Sequence, residues 1–174
     1  MNWEAIGAVG EVLGAIAVFI SLSYLALQIK SNTASMEVTS RQNVANEYRD
    51  WLRIFQHASH PEHFTMGMSD YPNMPYRARS DFAVYTHDLV LFYQSAQAMH
   101  EAGTLPDANH EPYRVWVAAV LSTPGGRNFW NEWKPSYNAG MTSALEERFE
   151  EGGLPNPLDY PMFQLDKETQ TGSE

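Results

Sequence analysis

The sequence predicts an all-α protein with one N-terminal transmembrane helix followed by a small irregular helical bundle. Residues 3–29 are almost wholly apolar, and Glu4 and Glu11 carry their only charges. The rest of the chain repeats apolar residues at helical spacing and has no run of alternating β-branched residues. We therefore expect a transmembrane helix over residues 1–30, a cytoplasmic helical domain over 31–151 and an extended or disordered tail over 152–174.

The apolar segment of residues 5–27 is long enough to cross a bilayer, which needs about 20 such residues. Trp3 and Tyr24 flank it, where amphipathic rings favour the membrane interface. A secretory signal peptide would need a basic start, but no Lys or Arg precedes Lys30. A buried helix of a soluble bundle is the other alternative, although the apolar run is longer than a core helix requires.

Lys and Arg residues near the helix ends predict its orientation. The N-terminal side has none, whereas Lys30, Arg41, Arg49 and Arg53 follow the segment. We expect the N-terminus to lie outside and the large domain to lie in the cytoplasm.

Small residues line one side of the predicted membrane helix. Their alternating spacing of three and four places them on a narrow stripe that continues to Tyr24 and Gln28. Such residues let helices approach closely in lipid. The stripe predicts packing against a partner helix through Gly7, Gly10, Gly14, Ala17 and Ser21.

Glu11 lies beside this stripe and joins the predicted packing site. An ionised carboxylate in hydrocarbon is costly, so Glu11 would be protonated, paired or directed to the interface. If the true span is residues 12–29, Glu11 lies at its outer edge. The sequence leaves both positions open.

Composition excludes several classes of function. A net charge of −10 argues against nucleic acid as a partner. The absence of cysteine excludes disulfides, zinc–thiolate sites and thiol catalysis. No nucleotide-binding or hydrolase motif is present, so no cofactor and no catalytic residue are predicted.

Start and stop residues divide the rest of the chain into helices. Residues 30–58 are predicted to be helical, and Pro61 opens a second helix before a loop at 71–75. Ser80 is expected to cap the third helix and Gly103 to end it. After a turn at 107–110, the remaining predicted starts are Pro112, Thr123-Pro124 and Ser136, and Gly152-Gly153 ends the last helix.

The first metal-site candidates are three histidines spaced by three, His57, His60 and His63, with Glu62 beside them. Imidazole and carboxylate suit transition metals. Pro61 breaks the helix between them, so the spacing does not place them on one face. Capping, turn and surface roles explain all three, and the prediction is that no metal binds. A site drawn from several helices, with Glu47, His57, His87 and His100, remains open.

The segment 123–127, Thr-Pro-Gly-Gly-Arg, opens a helix and has two interpretations. Helix starts can bind anions, but this segment lacks the lysine and spacing of a phosphate-binding loop, which favours a tight turn. The aromatic residues that follow could line a pocket or a docking face, but core packing is the default for Phe129, Trp130, Trp133 and Tyr137.

Two motifs resemble a group of uncharacterised bacterial single-pass membrane proteins. The first is the N-terminal W-E-x-I-G-A-V-G-E-V-x-G-A-I-A-V pattern, and the second is the later S-T-P-G-G-R-N-F-W segment. The resemblance implies a bacterial inner-membrane protein with a helical domain and carries no known activity. Relatives usually have Asp at the position of His60, so the resemblance does not extend to the histidines.

These observations favour a non-catalytic, membrane-anchored assembly or accessory subunit of a membrane protein complex, or a protein that self-associates. The partner would be another membrane subunit or a second copy of the chain. The alternative is a membrane-tethered enzyme or sensor with a histidine-based metal or ligand site in the helical domain.

Overall fold

The computed structural model describes residues 3–164. Within this range the chain is helical and contains no strand, which confirms the all-α prediction. Short 3-10 turns connect several of the helices. The six α-helices are α1 (Trp3–His57), α2 (Glu62–Asp70), α3 (Tyr76–Glu101), α4 (Asp107–Ser122), α5 (Pro124–Trp133) and α6 (Ala139–Glu151).

Helix α1 runs without interruption through the predicted membrane segment and the first helix expected after it. The protein divides into two compact units, Met1–Thr39 and Ser40–Glu174. In the first unit, the side chains of residues 7–36 are all exposed. The structure therefore gives no support to the alternative of a buried core helix.

The core of the second unit is rich in aromatic residues from most of its helices. Val44 and Trp51 of α1 are buried there, beside Phe64 of α2 and Phe82 of α3. The indole Nε1 of Trp51 donates a hydrogen bond of 2.9 Å to the main-chain carbonyl of Tyr85. This bond satisfies a polar group that burial would otherwise leave unpaired.

Two helices begin earlier than the sequence predicts. Helix α3 begins at Tyr76 directly after Pro75, whose extended backbone ends the preceding turn, so Ser80 lies inside the helix and is not its cap. Helix α4 begins at Asp107 after Pro106, so the predicted turn at 107–110 is wrong. The first turns of both helices are polar, so apolar spacing does not mark where they begin. For α4 the better signal is Asp107, because an acidic residue favours a helix N-terminus.

The start of α5 is as predicted, and the start of α6 is not. The Thr123 hydroxyl accepts a 3.1 Å hydrogen bond from the Gly126 amide, with Pro124 at the first helical position. Before α6, Ser136 belongs to a 3-10 turn, and Asn138 caps the helix instead. The Asn138 side chain accepts bonds of 2.8 Å and 3.3 Å from the amides of Gly140 and Met141. Asparagine and serine are comparable caps, so residue type alone could not choose between them.

Glycine residues allow helices α2 and α5 to approach closely. A Cβ at Gly67 would collide with the Phe82 ring, and a Cβ at Gly125 would collide with the Gly67 carbonyl. Both glycines are buried. The close approach of α5 to α2 therefore depends on the absence of a side chain at Gly125, and the packing of Phe82 from α3 against α2 depends on the absence of one at Gly67.

The chain after α6 differs from the extended or disordered tail that the sequence predicts. Gly152 and Gly153 end α6 with φ of 70° and 66°, as expected. The following residues form two short 3-10 turns, and Pro157 and Phe163 are buried against the bundle. The Phe163 ring packs 5.9 Å from both Phe64 and Trp116, measured between centroids. Aromatic burial thus orders this segment as far as residue 164, and residues 165–174 lie outside the described range.

Candidate functional site

The predicted packing stripe lies on the exposed surface of α1. At Gly7, Gly10 and Gly14, a Cβ would have no atom of the described chain within 4 Å apart from its chain neighbours and the nearby backbone of α1 itself. The Ser21 hydroxyl donates a 2.9 Å hydrogen bond to the Ala17 carbonyl, so it is satisfied within its own helix. Glu11 is exposed beside the stripe. The surface is open to a partner along its length.

The structure brings together only part of the predicted histidine set. One ligand atom from each of His60, Glu62 and His63 lies within 4.8 Å of the other two. The two imidazole rings stack with their centroids 4.8 Å apart. His57, the last residue of α1, is not a member of this group. The turn at Pro61 therefore assembles a cluster different from the one that the spacing of three indicated.

Asp81 of α3 holds the imidazole of His63. Its Oδ2 lies 2.8 Å from His63 Nδ1, and its Oδ1 lies 3.4 Å from the Arg77 guanidinium. His60 Nδ1 lies 3.0 Å from a carboxylate oxygen of Glu62. A hydrogen bond from its own backbone amide and the neighbouring His60 lower the pKa of Glu62, although slight burial opposes them.

A second histidine pair was not predicted from the sequence. His100 near the end of α3 and His110 in α4 stack in parallel, with centroids 4.3 Å apart and an angle of 7° between the rings. The Tyr93 ring stacks on His110 at 5.5 Å. The sequence predicts a turn at 107–110. His110 was therefore not expected on a helix that packs against α3, and the pair could not be foreseen.

His110 is held neutral in this environment. Only 4% of the residue is exposed, and its Nε2 has no hydrogen-bond partner in the described structure. Burial, reinforced by the nearby His100, lowers the pKa of His110 from 6.5 to about 4. His100 Nδ1 donates a 3.0 Å bond to the Leu105 carbonyl.

Ion pairs surround a polar pocket of about 400 Å³ beside these histidines, between α3, α4 and α6. Arg114 bonds Glu111 at 3.2 Å and Glu151 at 2.8 Å. Arg148 lies 3.5 Å from the other Glu151 oxygen and donates a 2.7 Å bond to the Gly152 carbonyl. These charges already pair with one another. We therefore interpret the residues around the pocket as an ion-pair network that joins α4 to α6.

Among the described residues, Glu47, His57, His87 and His100 do not come together as a metal-ligand group. His87 packs against Phe129, Trp133 and Tyr137, and shares a short hydrogen bond with the Tyr137 hydroxyl. Burial lowers the pKa of His87 and raises that of Tyr137. Glu47 instead accepts a bond from Ser95.

The aromatic residues of α5 are core residues, as the sequence favoured. Phe129 and Trp130 are fully buried, and Trp130 Nε1 donates a 2.7 Å bond to Glu146. The glycines at the start of α5 are also buried, and a Cβ at Gly126 would collide with the Val120 carbonyl. Because these glycines are buried and the Gly126 amide already donates to Thr123, the structure favours the tight-turn interpretation of residues 123–127.

Comparisons of the chain with protein-family models, curated proteins and solved structures give no match. The resemblance to bacterial single-pass membrane proteins therefore stays a prediction, and the function must be argued from the chain itself.

Proposed function

We propose that the protein is a non-catalytic, single-pass inner-membrane protein that serves as an assembly or accessory subunit, or self-associates, through the small-residue stripe of α1. The observation that carries the proposal is the open surface at Gly7, Gly10 and Gly14, in the part of α1 whose side chains are mostly apolar and exposed.

The apolar surface of α1 supports membrane insertion. An 18-residue window of this helix has a mean hydropathy of 2.1 and none of it is buried. Leu13, Phe19 and Ile20 are exposed by 62%, 73% and 61%. Removing one such side chain from water contributes about 1.5 to 3 kcal/mol, and lipid provides that apolar surrounding.

The stripe supports association within the membrane. At about 100° per residue, the five small residues from Gly7 to Ser21 fall within roughly 80° of the helix circumference. Val12 and Ile16 lie on the opposite side. Lipid does not drive helices together by hydrophobicity, so close backbone approach at small residues is the main source of affinity.

The orientation is tested by protease protection in intact bacterial spheroplasts that express the full chain. Because positive residues follow the helix and none precede it, external protease should leave the C-terminal domain uncut until the membrane is permeabilised. Digestion of that domain in intact spheroplasts would contradict the orientation. Recovery of a shortened, soluble chain would show a cleaved signal sequence and overturn the anchor itself.

Association is tested by comparing Gly14→Leu with Val12→Leu in a reporter of helix association in the inner membrane. A leucine at Gly14 pushes the backbones apart, so it should weaken association, whereas Val12→Leu on the opposite side should have little effect. Co-purification with native membrane subunits separates a partner from self-association. Equal results for the two variants in both assays would mean that the helix is an anchor without a packing role.

Glu11→Gln separates two states of the adjacent carboxyl. If Glu11 is protonated and hydrogen-bonded, glutamine keeps the bond and association is retained. If Glu11 pairs with a cation of a partner, loss of the charge should disrupt association.

A further inference from the structure

We propose that His60, Glu62 and His63 form a binding site for one divalent transition-metal ion of the zinc class, with Asp81 orienting His63. The site lies at the start of α2, in the unit Ser40–Glu174, and is separate from the membrane stripe. It goes beyond the assembly role and does not depend on it.

The local turn creates the cluster. The His63 amide donates a 3.1 Å bond to the His60 carbonyl, and the Phe64 amide donates a 3.2 Å bond to the Pro61 carbonyl. These bonds wind residues 60–64 into one turn, which places His60 and His63 on the same side with stacked rings. Glu62 adds its carboxylate beside His60, and one possible ligand atom of each of the three residues lies within 4.8 Å of the other two.

The contact with Asp81 prepares His63 for a metal. In the tautomer whose Nδ1–H donates to the carboxylate at 2.8 Å, Nε2 is the nitrogen free to bind a metal. Metal-binding histidines are commonly held in this way, because the outer carboxylate fixes the ring and makes the nitrogen more basic. Arg77 in turn holds the second oxygen of Asp81 at 3.4 Å.

The other two ligands can move to complete the site. The side chains of His60 and Glu62 are 51% and 45% exposed, whereas that of His63 is 14% exposed. Tetrahedral zinc with bonds of 2.0–2.2 Å needs ligand atoms about 3.4 Å apart. Rotation of the two exposed side chains toward the fixed His63 can close that difference. It would break the His60–Glu62 contact, the stacking of the two rings and the bond between the Glu62 carboxylate and its own amide.

The ligand set selects the class of ion. Two imidazoles and one carboxylate suit zinc and neighbouring first-row metals rather than magnesium or calcium, which prefer oxygen ligands. Three protein ligands leave a fourth position to water, so the site can bind an ion while remaining open to solvent.

The test is titration of the detergent-solubilised full chain, purified without a polyhistidine tag, with Zn²⁺ by calorimetry and with Co²⁺ by visible absorption. We expect one ion per chain. Binding should be lost in His60→Ala and in His63→Ala, and should be retained in His57→Ala, which is the matched control for a nearby histidine outside the cluster.

Asp81→Asn distinguishes a built site from chance chelation by surface histidines. Removing an outer partner typically weakens metal affinity by about 10- to 100-fold, so we expect a loss of that size although no ligand is changed. Circular dichroism should show that each variant remains folded. The proposal is overturned if wild type binds no ion, if His60→Ala and His63→Ala bind as wild type does, or if His57→Ala abolishes binding as they do. An unchanged affinity in folded Asp81→Asn would reduce the cluster to adventitious surface binding and also overturn the proposal.

Discussion

The buried His110 should make the stability of the helical domain depend on pH in the mildly acidic range. In the folded protein the pKa of His110 is about 4, against an ordinary value of 6.5. The unfolded chain therefore binds a proton on this residue as pH falls below about 6.5, while the folded chain stays neutral until pH approaches 4. Stability present above pH 6.5 is lost progressively between these two values.

The size of the effect follows from the two pKa values. A difference of 2.5 units corresponds to a total loss of about 3.4 kcal/mol at about 1.36 kcal/mol per unit. Between pH 7 and pH 5 the expected loss is about 2 kcal/mol, before most carboxylates begin to titrate. Replacement of His110 by Leu removes the titrating group and also the buried Nε2 that has no partner in the described structure.

The assay is urea unfolding of the full chain in detergent, followed by tryptophan fluorescence at pH 7 and pH 5. Wild type should lose about 2 kcal/mol more than His110→Leu over this interval. Burial also lowers the pKa of His87, but that residue is the same in both proteins and cancels in the comparison. Equal losses in the two proteins would refute the conclusion that His110 is held neutral by burial.

Three further predictions concern packing and capping, and thermal unfolding measures each of them. Gly125→Ala should destabilise the domain by about 3 kcal/mol or more, because a Cβ there collides with the Gly67 carbonyl, and a stability close to wild type would contradict the close crossing. Thr123→Ala should cost about 1 kcal/mol through loss of the α5 cap, whereas Thr123→Ser should recover most of it. Phe163→Ala should cost about 3 kcal/mol if the segment after α6 is packed, and no change would support the disordered tail that the sequence predicted.

The long helix and the all-α class could be predicted because they depend on local signals. Apolar periodicity, the Thr123-Pro124 start and the Gly152-Gly153 end each act within a few residues of the backbone they determine. The starts of α3 and α4 were misplaced because their first turns are polar, and a proline before each one defines the boundary more strongly than apolar spacing does.

The side-chain clusters could not be predicted because they depend on contacts between helices. The spacing of His57, His60 and His63 suggested one histidine set, but the turn at Pro61 and the distant Asp81 determine which groups meet. His100 and His110 face each other only because α4 begins at Asp107. Likewise, no local pattern reveals that Phe163 returns to the core.

The crossing of α2 and α5 links two positions that are far apart in the chain. A side chain at Gly125 meets the backbone at Gly67, and a side chain at Gly67 meets Phe82. A side chain at Gly125 would therefore require α2 to move, whereas a side chain at Gly67 would require Phe82 of α3 to move. In a set of homologues, this fold would leave paired glycines in the two helices as a signature, even where the surrounding surface residues had diverged beyond recognition.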